Sequence, residues 1–294
     1  MQVISTLLPV ALGIVMLGLG LSLTVTDFKR VAVYPRATLV ALVCQVLLLP
    51  AACFGLILLF DPPPALAVGM MLLAASPGGS TANLFSHLYG GDVALNVTLT
   101  AVNSILAVVT LPLVVNFALD YFMAAEGAVG LQFGKSLQVF AIILVPVAIG
   151  MLVRWKRPGF ADRMTRPVRI TSIAVLLLAL AAAVLQEVEH VAEYVAEIGA
   201  LTLVFNVLSL AVGYFAPRLV RIERKQAIAT AMEVGIHNAT LAIAIALSPT
   251  LLDNSRMAVP SLTYGLWMFL TAAGAGYLMR RAIRSGPPSA PTVS

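Results

Sequence analysis

The chain has 294 residues, of which 60% are hydrophobic and 11% charged, with a formal net charge of +5 and a mean hydropathy of +0.99. Soluble domains are about 45–50% apolar and about 25% charged, so a water-soluble globular protein is excluded. An outer-membrane barrel is excluded too, because its short strands alternate apolar and polar whereas the apolar runs here are long and unbroken. What remains is an all-α polytopic membrane protein. Its excess of Lys and Arg reads as loop orientation signal, not as a nucleic-acid surface.

At about 20 residues per crossing, hydropathy predicts nine transmembrane helices, near 3–23, 38–60, 65–90, 92–116, 134–154, 170–186, 198–216, 226–248 and 258–279. Nothing positive precedes the first run, Val3 to Leu23, so no cleavable leader is expected. The second run holds both cysteines, Cys44 and Cys53. Nine residues apart on a straight helix, they would stand on opposite faces about 13 Å apart along the axis, too far to bridge. The acidic run 187–197 reads as an interfacial helix, and the tail from Ser285, rich in Pro and Ser, as disordered.

The exits of the odd-numbered spans carry Lys29, Arg30 and Arg36; then Arg154, Lys156, Arg157, Arg163, Arg166 and Arg169; then Arg218, Arg221, Arg224 and Lys225; then Arg280, Arg281 and Arg284. The even exits are acidic, with Asp61, then Asp120 and Glu126, then Glu187, Glu189, Glu193 and Glu197. By the positive-inside rule the N-terminus is outside and the C-terminus cytoplasmic, in a multi-pass protein of the cell (inner) membrane.

Two spans are wrong for simple helices. The third is interrupted by Ser76-Pro77-Gly78-Gly79-Ser80-Thr81, and the eighth carries Glu233-Val234-Gly235-Ile236-His237-Asn238 inside an apolar stretch. Gly-containing polar interruptions in corresponding halves point to a midplane site built from discontinuous helices. The third span runs inward and the eighth outward, so the two are antiparallel, as an inverted repeat requires. The halves read as 1–116 (four spans, broken helix 65–90) and 134–279 (five spans, broken helix 226–248). An external linker, 117–133, joins them, and 280–294 is a cytoplasmic tail. This 4+5 division fits a repeat of five whose first helix is absent from the N-terminal copy.

Glu233 is the only acidic residue well inside a predicted span. An intramembrane carboxylate faces the bundle interior and needs a partner. No Lys or Arg lies inside a span to provide one, which leaves a bound cation or a proton. Asn96, Thr100, Asn103 and Ser104 share one face of the fourth span, with Asn103 and Ser104 read as interhelical glue. Gln45 is a lone buried amide, and His237 lies four residues from Glu233. No transition-metal set can be assembled, since His87 and His190 fall near opposite membrane surfaces. No nucleophile–base pair is visible, and Pro77-Gly78-Gly79-Ser80 lacks the Gly-Lys of a phosphate loop. An enzyme is therefore not expected, nor any cofactor. Oxygen donors beside freed helix N-termini suit a hard monovalent cation together with an anionic substrate.

Pro77-Gly78-Gly79-Ser80-Thr81-Ala82-Asn83, Asp92-Val93-Ala94-Leu95-Asn96 and Glu233-Val234-Gly235-Ile236-His237-Asn238 resemble the bile acid:sodium symporter family, as do Leu17-Gly18-Leu19-Gly20-Leu21 and Asp27-Phe28. The resemblance covers essentially the whole chain. It implies a core domain with two crossing broken helices, a panel domain against which the core moves, and two sodium sites behind the crossover. One site would take Glu233, Asn83, Thr100 and Asn96, with Ala82 where relatives often have serine. The other would take Gln45, Glu233, His237 and the carbonyls of Val234 and Ile236, with His237 where glutamine is usual. Ser80, Thr81 and Asn238 would face the substrate cavity, and Trp267-Met268 replaces a polar pair that lines it in some bacterial relatives. The expected activity is sodium-coupled symport of an organic anion by alternating access, with sodium ions as coupling ions and the lipid bilayer as solvent. The substrate is bile-acid-like or, better, a small carboxylate such as a pantoate- or keto-acid-like metabolite. Proton coupling or antiport through Glu233 and His237 is the alternative, and a non-transporting receptor or an intramembrane enzyme a distant one. Substrate, stoichiometry and oligomeric state stay open.

Overall fold

Proline and glycine punctuate this chain, and the helices begin and end where they stand. The computed structural model describes residues 13–14, 16–18, 20–124, 133–168, 170–171, 174, 188–249 and 251–284. Most of the predicted span 170–186, the start of the span 3–23, residues 125–132 of the external linker and the tail from Ser285 lie outside the described residues.

Thr24 and Asp27 form a capping box that starts the short α1, Val25–Lys29. Pro35 opens α2, Pro35–Val43. A π turn, Cys44–Leu48, joins α2 to α3, Leu49–Phe60. Pro64 opens α4, Pro64–Ala75. After the first interruption α5, Ser80–Tyr89, ends on Gly90, whose φ of 78° is the left-handed conformation glycine adopts freely. Asp92 then caps α6, Val93–Phe122, its side chain accepting from Leu95 N at 3.0 Å. There follow α7, Phe133–Lys156; α8, Val188–Leu219; α9, Arg224–Gly235; α10, Ala239–Leu247; and α11, Val259–Arg284. The described residues contain no named strand, only an isolated antiparallel bridge between Gly78 and His237.

Among the described residues, three runs are long and apolar enough to cross a membrane: Pro35–Phe60, Val93–Phe122 and Ala196–Leu219. Three details differ from the sequence reading. The acidic run 187–197 is not a separate interfacial helix; its described part continues into the seventh span as the single 32-residue helix α8. The fourth span runs on to Phe122, so Asp120 belongs to its last turn. Cys44 and Cys53 are both buried; the π turn between them changes the residue count per turn, so the opposite-face geometry of a straight helix does not apply.

At the centre stand α4, α9 and α10. Every residue from Leu66 to Ala75 and from Ala227 to Gly235 is buried, as expected for helices surrounded by protein. Small residues let them approach their neighbours: Gly69 lies against the backbone of Met257, and Gly213 against that of Ala231. By contrast α2, the π turn and α3 leave Leu39, Leu47 and Leu59 exposed, a lipid-facing surface. A second packing group forms where Gly20 meets the Val147 backbone and Gly150 meets that of Leu17.

Candidate functional site

Ending a helix inside a membrane strands N–H and C=O groups that no water can satisfy. Here the two interruptions satisfy each other. The N–H of Gly79 donates to the Ile236 carbonyl at 3.0 Å, and that of Asn238 to the Pro77 carbonyl at 2.8 Å. The broken stretches therefore meet antiparallel. Gly78 is required by close approach, because a methyl group there would overlap the carboxyl group of Glu233.

Glu233, with no solvent exposure, sits in the last turn of α9. Thr100 Oγ1 donates to its Oε2 at 2.6 Å and Asn96 Nδ2 to the same oxygen at 3.5 Å. Asn103 Nδ2 donates to Oε1 at 3.3 Å. Asn96 Nδ2 also reaches the Ala229 carbonyl at 2.8 Å. These partners, i, i+4 and i+7 along α6, are all neutral. Asn96 and Asn103 turn their Nδ2 groups to acceptors, and their Oδ1 atoms, like that of Asn83, are buried without a hydrogen-bond partner. A carboxylate ringed by unpartnered amide oxygens matches the donor set of a hard cation. Among the described residues no group of three His, Cys, Asp or Glu could hold a metal ion.

Gln45 and His237 meet elsewhere, at the Ser76 carbonyl. Gln45 Nε2 donates to it at 3.0 Å and to the Ala74 carbonyl at 3.4 Å. His237 Nδ1 lies 3.1 Å from the same oxygen. A carbonyl can only accept, so the proton is on Nδ1 and Nε2 carries the lone pair; Nε2 is buried and unpartnered, as is Gln45 Oε1. The imidazole stacks on Phe205, with centroids 5.7 Å apart at 18°, and meets Tyr264 edge-on at 5.4 Å. The Gly235 carbonyl, freed by the break, accepts from Asn206 Nδ2 at 3.1 Å and Tyr264 OH at 2.8 Å, and Thr271 in turn donates to Asn206 Oδ1.

The structure thus gathers Glu233, Asn96, Thr100 and Gly78 into one cluster and Gln45 with His237 into a second. Ala82 and Val234 are buried beside them, and the Ile236 carbonyl is engaged in the crossover. Thr81, Asn83 and Asn238 are half-buried around the break. Asn238 Oδ1 caps α10 by accepting from Leu241 N at 3.1 Å. The Ser80 side chain is outside the described set. Trp267 stands half-buried on α11, its carbonyl accepting from Thr271 Oγ1 at 2.9 Å. Sequence reasoning assigned Asn103 to interhelical glue, although its spacing from Asn96 and Thr100 already put it on the Glu233 face. It missed Ser76, whose carbonyl gathers Gln45 and His237, and Asn206 and Tyr264, which donate to the Gly235 carbonyl freed by the break.

Two interrupted helices pairing around a buried carboxylate within long apolar helices are the architecture of a multi-pass membrane protein. The chain belongs to the sodium bile acid symporter family, a family of sodium-dependent transporters; its family profile matches residues 9–194. It is similar to the uncharacterized sodium-dependent transporter YocS of Bacillus subtilis, 26% identical over 92% of this chain and 82% of that one. A probable chloroplastic sodium/metabolite cotransporter, BASS2, of Oryza sativa is 28% identical over 87% of this chain and 59% of its own length. The P3 protein of Homo sapiens is 29% identical over 72% of this chain and 44% of its own. The chain spans less than two thirds of the latter two relatives.

Proposed function

We propose that this protein is a secondary active symporter of the cell (inner) membrane that uses an inward sodium gradient to import an organic anion by alternating access. The observation that carries the reading is Glu233, a fully buried carboxylate whose hydrogen-bond partners are all neutral while amide oxygens beside it have none. A monovalent cation at Glu233, Asn83, Asn96 and Thr100 would supply the missing charge. Nearby, α5 begins without a side-chain cap. Its N-terminal N–H groups and those of α10 favour an anionic group, which supports a substrate carboxylate bound by Thr81 and Asn238 with Trp267 on the cavity wall. Relatives named as sodium/metabolite and sodium/bile acid cotransporters agree with an organic anion, and we take a small carboxylate as the substrate class. The fold reading completes the mechanism: nine spans, an inverted repeat of 1–116 and 134–279, and a core that rocks against a panel.

The test is uptake by proteoliposomes holding the full chain, with radiolabelled taurocholate, pantoate and a short keto acid. Accumulation of one of these under an imposed sodium gradient, lost in Glu233→Gln, is the expected result. Accumulation under a proton gradient without sodium would instead assign proton coupling to Glu233 and His237. Sodium-dependent binding without accumulation would make the protein a receptor.

A further inference from the structure

We propose that the basic segment after α7, residues 155–168, is a binding surface for anionic phospholipid headgroups. This goes beyond the transport reading, because none of its residues belongs to the Glu233 or His237 clusters.

The helix α7 ends at Lys156, and the chain turns at Arg157 into a shorter helix over 158–168. Pro158 takes its first position, where a missing N–H costs nothing. The Arg157 carbonyl accepts from the N–H groups of Phe160 and Ala161 at 3.1 and 3.0 Å. The faces of this helix are sorted. Ala161 is fully buried, and Met164, Thr165 and Val168 are half-buried, the i, i+3, i+4, i+7 spacing of one stripe. Val168 lies against the first span, since a Cβ on Gly18 would stand 3.1 Å from its Cγ1. That stripe faces the bundle. Phe160, Arg163 and Arg166, at i, i+3 and i+6, are all exposed on the other side. Trp155 and Phe160 are 71% and 51% exposed.

The charge on this surface has no internal counterweight. Asp162 is the only acidic residue between 154 and 169. Arg154 Nη1 engages it, while Arg154 Nε donates to the Leu21 carbonyl at 2.6 Å. Lys156, Arg157, Arg163 and Arg166 are exposed, and among the described residues none of them is in a salt bridge. An orientation signal needs only positive charge near the end of a span. It does not need the cations on one side of a helix beside exposed aromatic rings. That arrangement suits a helix lying along the membrane surface, with its rings at headgroup level and its long cationic side chains reaching for phosphates. A net negative headgroup supplies the missing charge, and a zwitterionic one does not. Through Val168 on Gly18 and Arg154 on the Leu21 carbonyl, a lipid held here fastens the ends of the first and fifth predicted spans to the membrane surface.

The test uses the full chain in phosphatidylcholine vesicles doped with brominated phosphatidylglycerol or brominated phosphatidylcholine, whose bromines quench nearby tryptophan. The chain has two tryptophans, so the fluorescence that Trp155→Phe removes is the reporter. Brominated phosphatidylglycerol should quench it at about one tenth of the mole fraction that brominated phosphatidylcholine needs. Lys156→Gln, Arg157→Gln, Arg163→Gln and Arg166→Gln combined should abolish that preference. Lys29→Gln, Arg36→Gln, Arg221→Gln and Lys225→Gln combined, which remove as many exposed cations from other basic exits, should leave it intact. In the wild-type chain, salt at about 1 M, where screening acts within about 3 Å, should also reduce the preference; this arm decides the matter if the first variant does not insert. Equal quenching by the two lipids, a preference that survives salt or the first variant, or its loss in the second variant as well would each overturn the surface. Relief of quenching by millimolar inorganic phosphate would assign the cations to a soluble phosphate and overturn the lipid.

Discussion

A charge at the centre of a bilayer persists only with compensation, and at Glu233 every visible partner is a neutral donor. Glu233→Gln keeps the shape and removes the charge. A ligand at 100 times its dissociation constant stabilises the native state by about 2.7 kcal/mol; the mutant should lose that whole increment. Thermal unfolding in sodium against choline measures it, and a sodium shift equal to wild type would make the carboxylate structural. Gly78→Ala acts on the same group from the other side of the crossover, since its methyl overlaps the carboxyl group. It should cost about 1–3 kcal/mol of stability by overpacking and also abolish the sodium shift; a variant that melts lower yet keeps that shift would separate packing from cation binding. The site was only partly legible in the sequence. The i, i+4, i+7 spacing of Asn96, Thr100 and Asn103 defines a face, but which helix that face meets is decided by the crossing, not by the spacing. For the same reason Asn103 read as glue, and Gln45 could not be matched to the Ser76 carbonyl.

Among the elements, the π turn links sequence to site most directly. Leu49 N–H reaches back five residues to the Cys44 carbonyl. In a regular helix the ring of Pro50 would clash with the Val46 carbonyl, and its missing N–H would leave that carbonyl without a donor. The slip in the ladder accommodates the proline and turns Gln45 toward Ser76. Pro50→Ala removes the reason for the slip. Continuous helix should re-form, by a preference of about 3 kcal/mol for Ala over Pro in a helix interior, and carry Gln45 off the Ser76 carbonyl. The expected result is unchanged or raised stability in choline with sodium affinity weakened by about tenfold, which is about 1.4 kcal/mol, within the range of one neutral hydrogen bond. An unaltered sodium titration would show that the π turn does not position Gln45. Helix existence was plain from hydropathy, and the breaks from Pro77, Gly78 and Gly235. The π turn was not, because a slipped ladder has no residue signature beyond the proline. The length of α8 was also missed, because Glu189, Glu193 and Glu197 suggested a polar surface segment, yet a helix can run on beyond the bilayer into water.

Across the whole molecule, the basic exits converge on one end of the bundle. Arg154 Nε donates to the Leu21 carbonyl at 2.6 Å, Arg280 Nη1 to the Leu88 carbonyl at 3.2 Å, and Asp92 N to the Lys225 carbonyl at 3.0 Å. These contacts join the ends of predicted spans one and five, three and nine, and the loops after spans three and seven. Because α4 enters the crossover as α5 leaves it, and α9 enters as α10 leaves, Asp61 and Asp253 fall at the opposite end; Asp61 closes α3 and Asp253 stands in the loop after α10, both in the left-handed conformation, at φ 47° and 46°. Lys and Arg resist transfer across the membrane during insertion while Asp and Glu count for little, so the end holding Lys225 and Arg280 should be cytoplasmic. Single cysteines at 61, 253, 225 and 280, with Cys44 and Cys53 replaced by alanine, make this measurable with a membrane-impermeant maleimide. Positions 61 and 253 should react in intact cells, and positions 225 and 280 only after permeabilisation. Reaction of 225 and 280 alone in intact cells would invert the molecule, and with it the direction in which a sodium gradient drives the substrate. Reaction of 61 and 253 from different sides would break the antiparallel pairing of the two interrupted helices, on which the site depends.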